Sequence, residues 1–327
     1  MTSVERHVGF GGAIERQERG SLLFYAEGYP SRSPRSERYS EARSMKKWSW
    51  GLLLLALAVG CGRAAEPSPT PTAAPAYTPI KVVATPTAVQ PPPTPTPLPT
   101  ETEEEKMVLI PAGEFTMGSD HGVERPPHQV FVEAFEIDIF EVTNEEFERF
   151  VTATGYETEA DKGGESQTWR SYAEGKPKHP VVKVSWNDGE AYCQWADKRL
   201  PTEAEWEKAA RGTEGYIYPW GNEWDSTKAN AKEGGHRGTT IVGSFPKGAS
   251  PYGVMDMAGN VAEWTSDWFQ PYPGYPGGDD WAQYFGEKYR VIRGGGWFSD
   301  KDQVRVTFRS CSSVEAANDD VGFRCVR

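Results

Sequence analysis

The chain has 327 residues and a formal net charge of −12. That length allows one large domain or two small ones, and the acidic balance excludes the clustered Lys and Arg stripe that nucleic acid demands. Twelve Trp, fourteen Tyr and fourteen Phe among 34 Gly and 26 Pro predict a loop-rich fold closed by large flat side chains.

Residues 1–44 are rich in Arg, Ser and Glu and show no period. They are expected to lie outside the fold, either disordered or an artefact upstream of a start at Met45. Met45-Lys46-Lys47 then leads into an apolar run from Trp48 to Val59, followed by Gly60-Cys61. This is a positive n-region, a short apolar h-region and a small residue before a cut. The run is about a dozen residues, short of the roughly 20 that span a bilayer as a helix. Residues 45–61 therefore resemble a bacterial lipoprotein signal, with Cys61 as the lipidated first residue of the mature chain. Ala58 stands where Leu is more usual in that pattern. An uncleaved anchor helix is the alternative. Either reading makes the remainder extracytoplasmic and holds it to a membrane.

Residues 62–105 are dominated by Pro and Thr, as in PPPTPTPLPT. Such a segment cannot bury a core and favours extended polyproline II. At about 3.1 Å per residue it reaches on the order of 100 Å. It reads as a stalk carrying a domain over 106–327.

The domain opens with MVLIPAGEFTMGS, a strand-turn-strand pattern broken at Pro111 and Gly113. More strand follows, with Val130, Val132, Phe135, Ile137 and Ile139 near period two. Thr143 with Glu146, Ser185 with Asp188 and Thr202 with Glu205 have the reciprocal spacing of a capping box, and each opens a helix. The first helix buries Phe147, Phe150 and Val151 and stops at Gly155. The third turns Trp206, Ala209 and Ala210 inward and stops at Gly212. Residues 156–180 read as a long loop between the first two. After Gly212 regular structure thins out, leaving strands at Tyr289–Arg293 and Val304–Arg309. Helices early and short strands elsewhere give an α+β domain, not an alternating α/β one.

The stretch GVMDMAGNVAEWTSDW, residues 253–268, is too interrupted by Gly to be an amphipathic helix. Gly259-Asn260 reads as a turn. Asp256, Asn260, Glu263 and Asp267 could meet one small cation there, since a hard ion such as Ca²⁺ takes carboxylates and exposed main-chain carbonyls. A surface turn with solvated acids is the plainer alternative. The four His of the domain, His121, His128, His179 and His236, show no metal-like pairing. No Gly-rich phosphate loop and no nucleophile elbow is present.

Seven blocks in this order resemble the formylglycine-generating enzyme, or sulfatase-modifying factor, family. They are MVLIPAGEFTMGS, EVTNEEF, VSWNDGEAYCQWADKRLPTEAEWEKAARG, YPWGNEW, GVMDMAGNVAEWTSDW, RVIRGGGWF and GFRC. The resemblance spans 107–327. It implies an irregular α+β domain related to C-type lectins.

Enzymes of that family oxidise a protein cysteine in sulfatases to formylglycine, using O₂ and Cu(I) held by two cysteine thiolates. Soft Cu(I) needs such soft ligands. The region that would carry them runs from Gly294 to Val304 and contains no Cys. The first family cysteine falls on Ser299 and the second among Lys301 to Val304. Gly296 replaces a serine, and Ala262 an aromatic residue. The resemblance thus implies the family frame without its copper pair, so copper is not expected.

It further implies a disulfide between Cys193 and Cys325; two buried thiols, or Cys311 paired with Cys325, are the alternatives. Cys311 would otherwise remain, as an inert half-buried thiol or, alternatively, a reactive one. One family calcium maps onto the Asp256 side chain, the Gly259 and Val261 carbonyls and Glu263. A second maps onto Asn230 and the Ala231 carbonyl, but its later Asp falls near Gly234. The expected function is a non-catalytic, surface-anchored binding or accessory module for a protein, peptide or carbohydrate ligand. The alternative is a formylglycine-generating or divergent oxidoreductase.

Overall fold

The structure is a computed structural model and describes residues 106–327. The leader over 45–61 with Cys61, the stalk and residues 1–44 lie outside the described residues. Among the described residues no helix is long and apolar enough to cross a membrane.

Strands β1 (Met107–Ile110) and β4 (Phe135–Asp138) pair antiparallel, as do β2 (Gly113–Met117) and β3 (His128–Val132). Each strand pair turns one apolar row inward: Ile110, Phe115, Val132, Phe135 and Ile137 are buried. A four-stranded sheet of order β7-β6-β5-β8 forms the other half. Its strands are β5 (Ala262–Trp268), β6 (Tyr289–Arg293), β7 (Arg309–Ser313) and β8 (Val321–Gly322). β5 and β8 run parallel; the other pairings are antiparallel.

The helices are α1 (Asn144–Thr154), α2 (Glu159–Lys162), α3 (Trp169–Ala173), α4 (Trp186–Trp195) and α5 (Glu203–Arg211). Thr143, Ser185 and Thr202 each complete a capping box with the acid three residues on. Each satisfies amides that a helix start would otherwise leave unpaired, and such a cap stabilises by about 1 kcal/mol. Gly155 ends α1 with φ 70°, in the left-handed region.

Two local expectations are corrected. Residues 156–180 are not one loop, since α2 and α3 lie within them. Helices of four and five residues are too short to show a 3.6-residue period, so the Thr158–Asp161 capping box passes unnoticed. The final antiparallel strand is Arg309–Ser313, not Val304–Arg309. Val304 and Val306 are buried from successive turns, and their alternation imitates a strand.

One core joins α1 and α4 to the sheet through Phe147, Phe150, Trp169, Tyr192 and Phe323. The Cys193–Cys325 disulfide lies in it. A second core packs Trp206, Ala209 and Ala210 of α5 against the two strand pairs.

Buried ion pairs bind α5 to the sheet. Glu203 accepts from Arg309 Nε at 2.6 Å and Nη2 at 2.9 Å, and from Arg293 Nη1 at 3.1 Å. Glu207 takes Arg293 Nη2, Arg211 Nη1 and the Gly118 amide. Burial pushes the Glu203 carboxyl up, but Arg309 and Arg293 outweigh it and hold the group below its ordinary value.

Breaking a buried pair from one side leaves an uncompensated charge. Arg293→Met is therefore expected to destabilise the domain by about 3 kcal/mol, read as a lower denaturation midpoint at unchanged slope. A shift of under about 1 kcal/mol, the range of an exposed pair, would show that Glu203 and Glu207 do not depend on Arg293.

Candidate functional site

Two regions carry the expected site residues, and backbone geometry joins them. The loop before β5 places Asp256 at φ 58°, Gly259 at 82° and Asn260 at 62°, in the left-handed region. At Gly259 a side chain is impossible for a second reason. A Cβ there would lie 2.2 Å from the Asn230 carbonyl oxygen. This close approach brings the Asn230 segment against the loop. The Asn260 amide donates to Asn230 O at 2.8 Å, and Asn230 Nδ2 donates to Asn260 Oδ1 at 3.1 Å.

Asp256, Gly259, Val261 and Glu263 thus share one buried region with Asn230 and Ala231. Asp267 does not join them. It lies at the far end of β5 and accepts from the Glu203 amide at 2.6 Å, at the start of α5. Asn260 holds the region together rather than facing a solvated turn: Oδ1 accepts from the Thr240 amide, and Nδ2 donates to Glu141 Oε1 at 3.0 Å.

Glu141 and Arg324 are members that the motif reading missed. Both stand inside quoted blocks, EVTNEEF and GFRC, but nothing in their spacing marks them as neighbours. Glu263 accepts from Arg324 Nε and Nη2, both at 2.7 Å, and from Trp206 Nε1 at 2.8 Å. Three carboxylates, Glu141, Asp256 and Glu263, therefore face one guanidinium in a buried space. Burial drives the Glu141 carboxyl well above its ordinary value, and the Asp256 charge drives it further. Burial raises Asp256 too, against the Gly243 amide that donates to it.

Glu141 Oε2 is buried with no donor among the described residues when both carboxyls are ionised and shares a hydrogen bond with Asp256 when one is protonated; Asn230 Oδ1 is buried without a partner. Excess negative charge and an orphaned carboxylate oxygen fit a hard cation. Among the described residues no cluster of three or more His, Cys, Asp or Glu is arranged to hold a metal by itself. The family arrangement asks less, two side chains and two carbonyls. The second site fits worse. Asn230 and Ala231 bring no carboxylate, and the acid of the 3-10 turn at Gly234, Glu233, is exposed and accepts from the Lys301 amide at 3.1 Å.

The other region is the turn after β6. Gly294 and Gly295 have φ 89° and 66°. A Cβ on Gly295 would lie 3.0 Å from Val304 Cγ1 and 3.1 Å from Ser299 Cβ. Ser299 and Val304 are thus immediate neighbours across that glycine, and both are fully buried. Val304 is the one residue from Lys301 to Val304 that the fold buries beside Ser299. The Ser299 hydroxyl accepts from the Gly296 amide at 3.1 Å. One hydroxyl and one isopropyl group offer Cu(I) no soft donor, so the residues present do not fit copper.

Trp297 marks the open side of this turn. It is half-buried, and its amide donates to Asn260 O at 3.0 Å, which ties the turn to the carboxylate loop. A cavity of about 230 Å³ lies beside it, lined by Tyr172, Lys176, Arg237, Thr239 and Asp319. Ser299 is shut away from it. Cys311 is elsewhere, on β7 against Val123, Phe269 and Val291. Burial pushes its thiol up to about 12, which keeps it protonated and inert at neutral pH.

The Sulfatase-modifying factor enzyme 1-like domain matches residues 93–327. The formylglycine-generating enzyme of Bos taurus is 36% identical over 288 residues, across 67% of this chain and 74% of its own. The inactive C-alpha-formylglycine-generating enzyme 2 of Mus musculus is 36% identical over 274 residues, across 67% and 84%. Among solved structures, PvdO from Pseudomonas aeruginosa superposes with a TM-score of 0.56 at 30% identity, covering 68% of this chain and 93% of that one. The fold is the irregular α+β domain of that group.

The neighbouring positions of Ser299 and Val304 give a direct prediction. Ser299→Cys with Val304→Cys is expected to confer Cu(I) binding in a chelator competition, while the parent chain shows none. Equal binding by both chains would place copper at other residues.

Proposed function

Because this chain belongs to the sulfatase-modifying factor enzyme 1-like family yet carries no Cys from Gly294 to Val304, where the resemblance puts the oxidases' thiolates, we propose that it is a recognition or accessory module, not a formylglycine-generating oxidase. The observation that carries this reading is the burial of the Ser299 hydroxyl beside the Val304 isopropyl group at that turn. A relative whose name includes "inactive" supports it, since the same frame there is a 36% identical match over most of its length. The half-buried Trp297 and the cavity beside it, with Arg237, Lys176 and Asp319, offer a mixed aromatic and charged surface for a protein, peptide or carbohydrate ligand.

In this reading the leader over 45–61 lipidates Cys61, and the Pro/Thr stalk holds the domain outside the cytoplasm, away from the membrane. Calcium would be held by Asp256 and Glu263 with the Gly259 and Val261 carbonyls. Its role is charge compensation for the buried carboxylates, not chemistry. The oxidase reading rests on the 36% identity to the Bos taurus enzyme.

Incubating the purified chain with Cu(I), O₂ and a cysteine-bearing sulfatase peptide separates the two. Mass spectrometry is expected to return the peptide unmodified; conversion of its cysteine to formylglycine would overturn the proposal. Asp256→Ala is expected to lower the melting temperature in calcium and leave it unchanged in chelator. Equal losses in both conditions would refute the calcium assignment.

A further inference from the structure

We propose that the cavity beside Trp297 takes the carboxyl-terminal residue of a peptide, with Arg237 and Lys176 on its carboxylate and Trp297 and Tyr172 around its side chain. The inference deepens the recognition reading of that cavity and rests on it. Pro180 and Val182 are buried and give the cavity an apolar floor, and the half-buried Tyr172 and Trp297 give it aromatic walls.

Arg237 is the group that points to a ligand. Among the described residues every other arginine is engaged. Arg290 lies between Trp186 and Trp268, its guanidinium carbon 4.1 and 3.5 Å from their ring centroids, and the rest stand in ion pairs. Arg237 has neither an ion pair nor a ring stack among those residues, although the chain has a net charge of −12 and acids are plentiful. It is exposed at the cavity, and so is Lys176, which has no ion pair among the described residues either. A guanidinium with an unfilled fork suits a planar carboxylate, which it can hold through two parallel hydrogen bonds.

The walls are fixed before a ligand arrives. Arg237 has φ 58°, in the left-handed region that few residues with a side chain adopt. The residue after it is anchored, because Asn230 Nδ2 donates to Gly238 O at 2.9 Å. The Thr240 amide donates to Asn260 Oδ1 at 2.9 Å, and the Trp297 amide to Asn260 O at 3.0 Å. One asparagine thus holds both the segment that carries Arg237 and the turn that carries Trp297. His179 Nδ1 and Thr239 Oγ1, 3.0 Å apart, tie that segment to the one that carries Lys176. Walls set in advance lower the ordering cost of binding.

Size and charge narrow the ligand. The volume of about 230 Å³ is below the roughly 300–1,000 Å³ that encloses a whole drug-sized ligand, so the cavity takes one end of a longer one. Arg237 and Lys176 against Asp319 leave one positive charge in excess, which suits a monoanion over a polyanion. An apolar floor and a cationic rim in so small a space ask for a side chain and a carboxylate on neighbouring atoms. The last residue of a peptide carries both on one Cα.

The probe is a Gly/Ser peptide ending in a free Phe, labelled with fluorescein at its amino end and titrated by anisotropy against the full chain. The same peptide amidated at its carboxyl end is the control. The free acid is expected to bind, and the amide about tenfold more weakly, the size of one charge-assisted contact. Arg237→Gln is expected to cost about tenfold on the free acid and to leave the melting temperature unchanged, since Arg237 holds no other part of the fold. Asp319→Asn is expected to tighten binding about threefold, a gain that damage to the fold does not produce. Equal binding of acid and amide, no binding of either, or an Arg237→Gln variant that binds like the parent would overturn the proposal. So would an amidated peptide with an internal Asp-Phe pair matching the free acid, or displacement of the free acid by equimolar inorganic phosphate. Those two results would give the cavity to a side-chain carboxylate or to phosphate. All of them leave the recognition reading standing; conversion of the sulfatase peptide's cysteine is the result that removes it.

Discussion

The pair between Glu263 and Arg324 is the contact on which the rest of the domain depends. Arg324 has five N–H groups, and each finds an acceptor. Nε and Nη2 take the two oxygens of Glu263, Nη1 takes the carbonyls of Asp138 and Ile139, and Nη2 also takes that of Met255. Taking a guanidinium and a carboxylate out of water costs several kcal/mol per ion, and only full satisfaction of their hydrogen bonds offsets it. The pair therefore favours the one arrangement in which the end of β4, the loop before β5, β5 itself and the chain terminus converge. Trp206 adds α5 through its indole N–H on Glu263.

The same pair creates a charge problem beside it. Glu141 and Asp256 share its buried space, and Arg324 neutralises one carboxylate. The other two can lose charge by protonation, which burial favours, or gain a cation. The proposed calcium is the second solution. It would explain why the loop holds Asp256 and Asn260 in the left-handed region, a conformation uncommon for residues with a side chain. Strain of that kind persists where surrounding contacts over-determine it, and the Asn230 carbonyl against Gly259 is one such contact.

Much of this was legible in the amino-acid sequence, and what was hidden has a physical reason. Capping boxes at Thr143, Ser185 and Thr202 are local, so residue spacing alone places those helix starts. The apolar alternation of β1 to β4 is local too. Arg324 and Glu263 are 61 residues apart, and Asn144 and Lys176 are 32 apart. No periodicity links such pairs; only the fold does. Val304 shows the opposite failure. Its alternation with Val306 reads as a strand, because burial from successive turns leaves the same pattern as burial on one face of a sheet. The lack of Cys from Gly294 to Val304 is legible in the sequence, but that Val304 stands beside Ser299 is known from the Gly295 turn alone.

The domain thus keeps the frame of its family, and its turn from Gly294 to Val304 carries no Cys. The frame needs the buried ion pairs and the carboxylate loop; it does not need the thiols. This separation is why fold-level kinship does not settle the chemistry. Metal content by mass spectrometry of the purified full chain, exposed to both ions and then desalted, tests it most directly. The account predicts retained calcium with copper at background, and stoichiometric copper would contradict it.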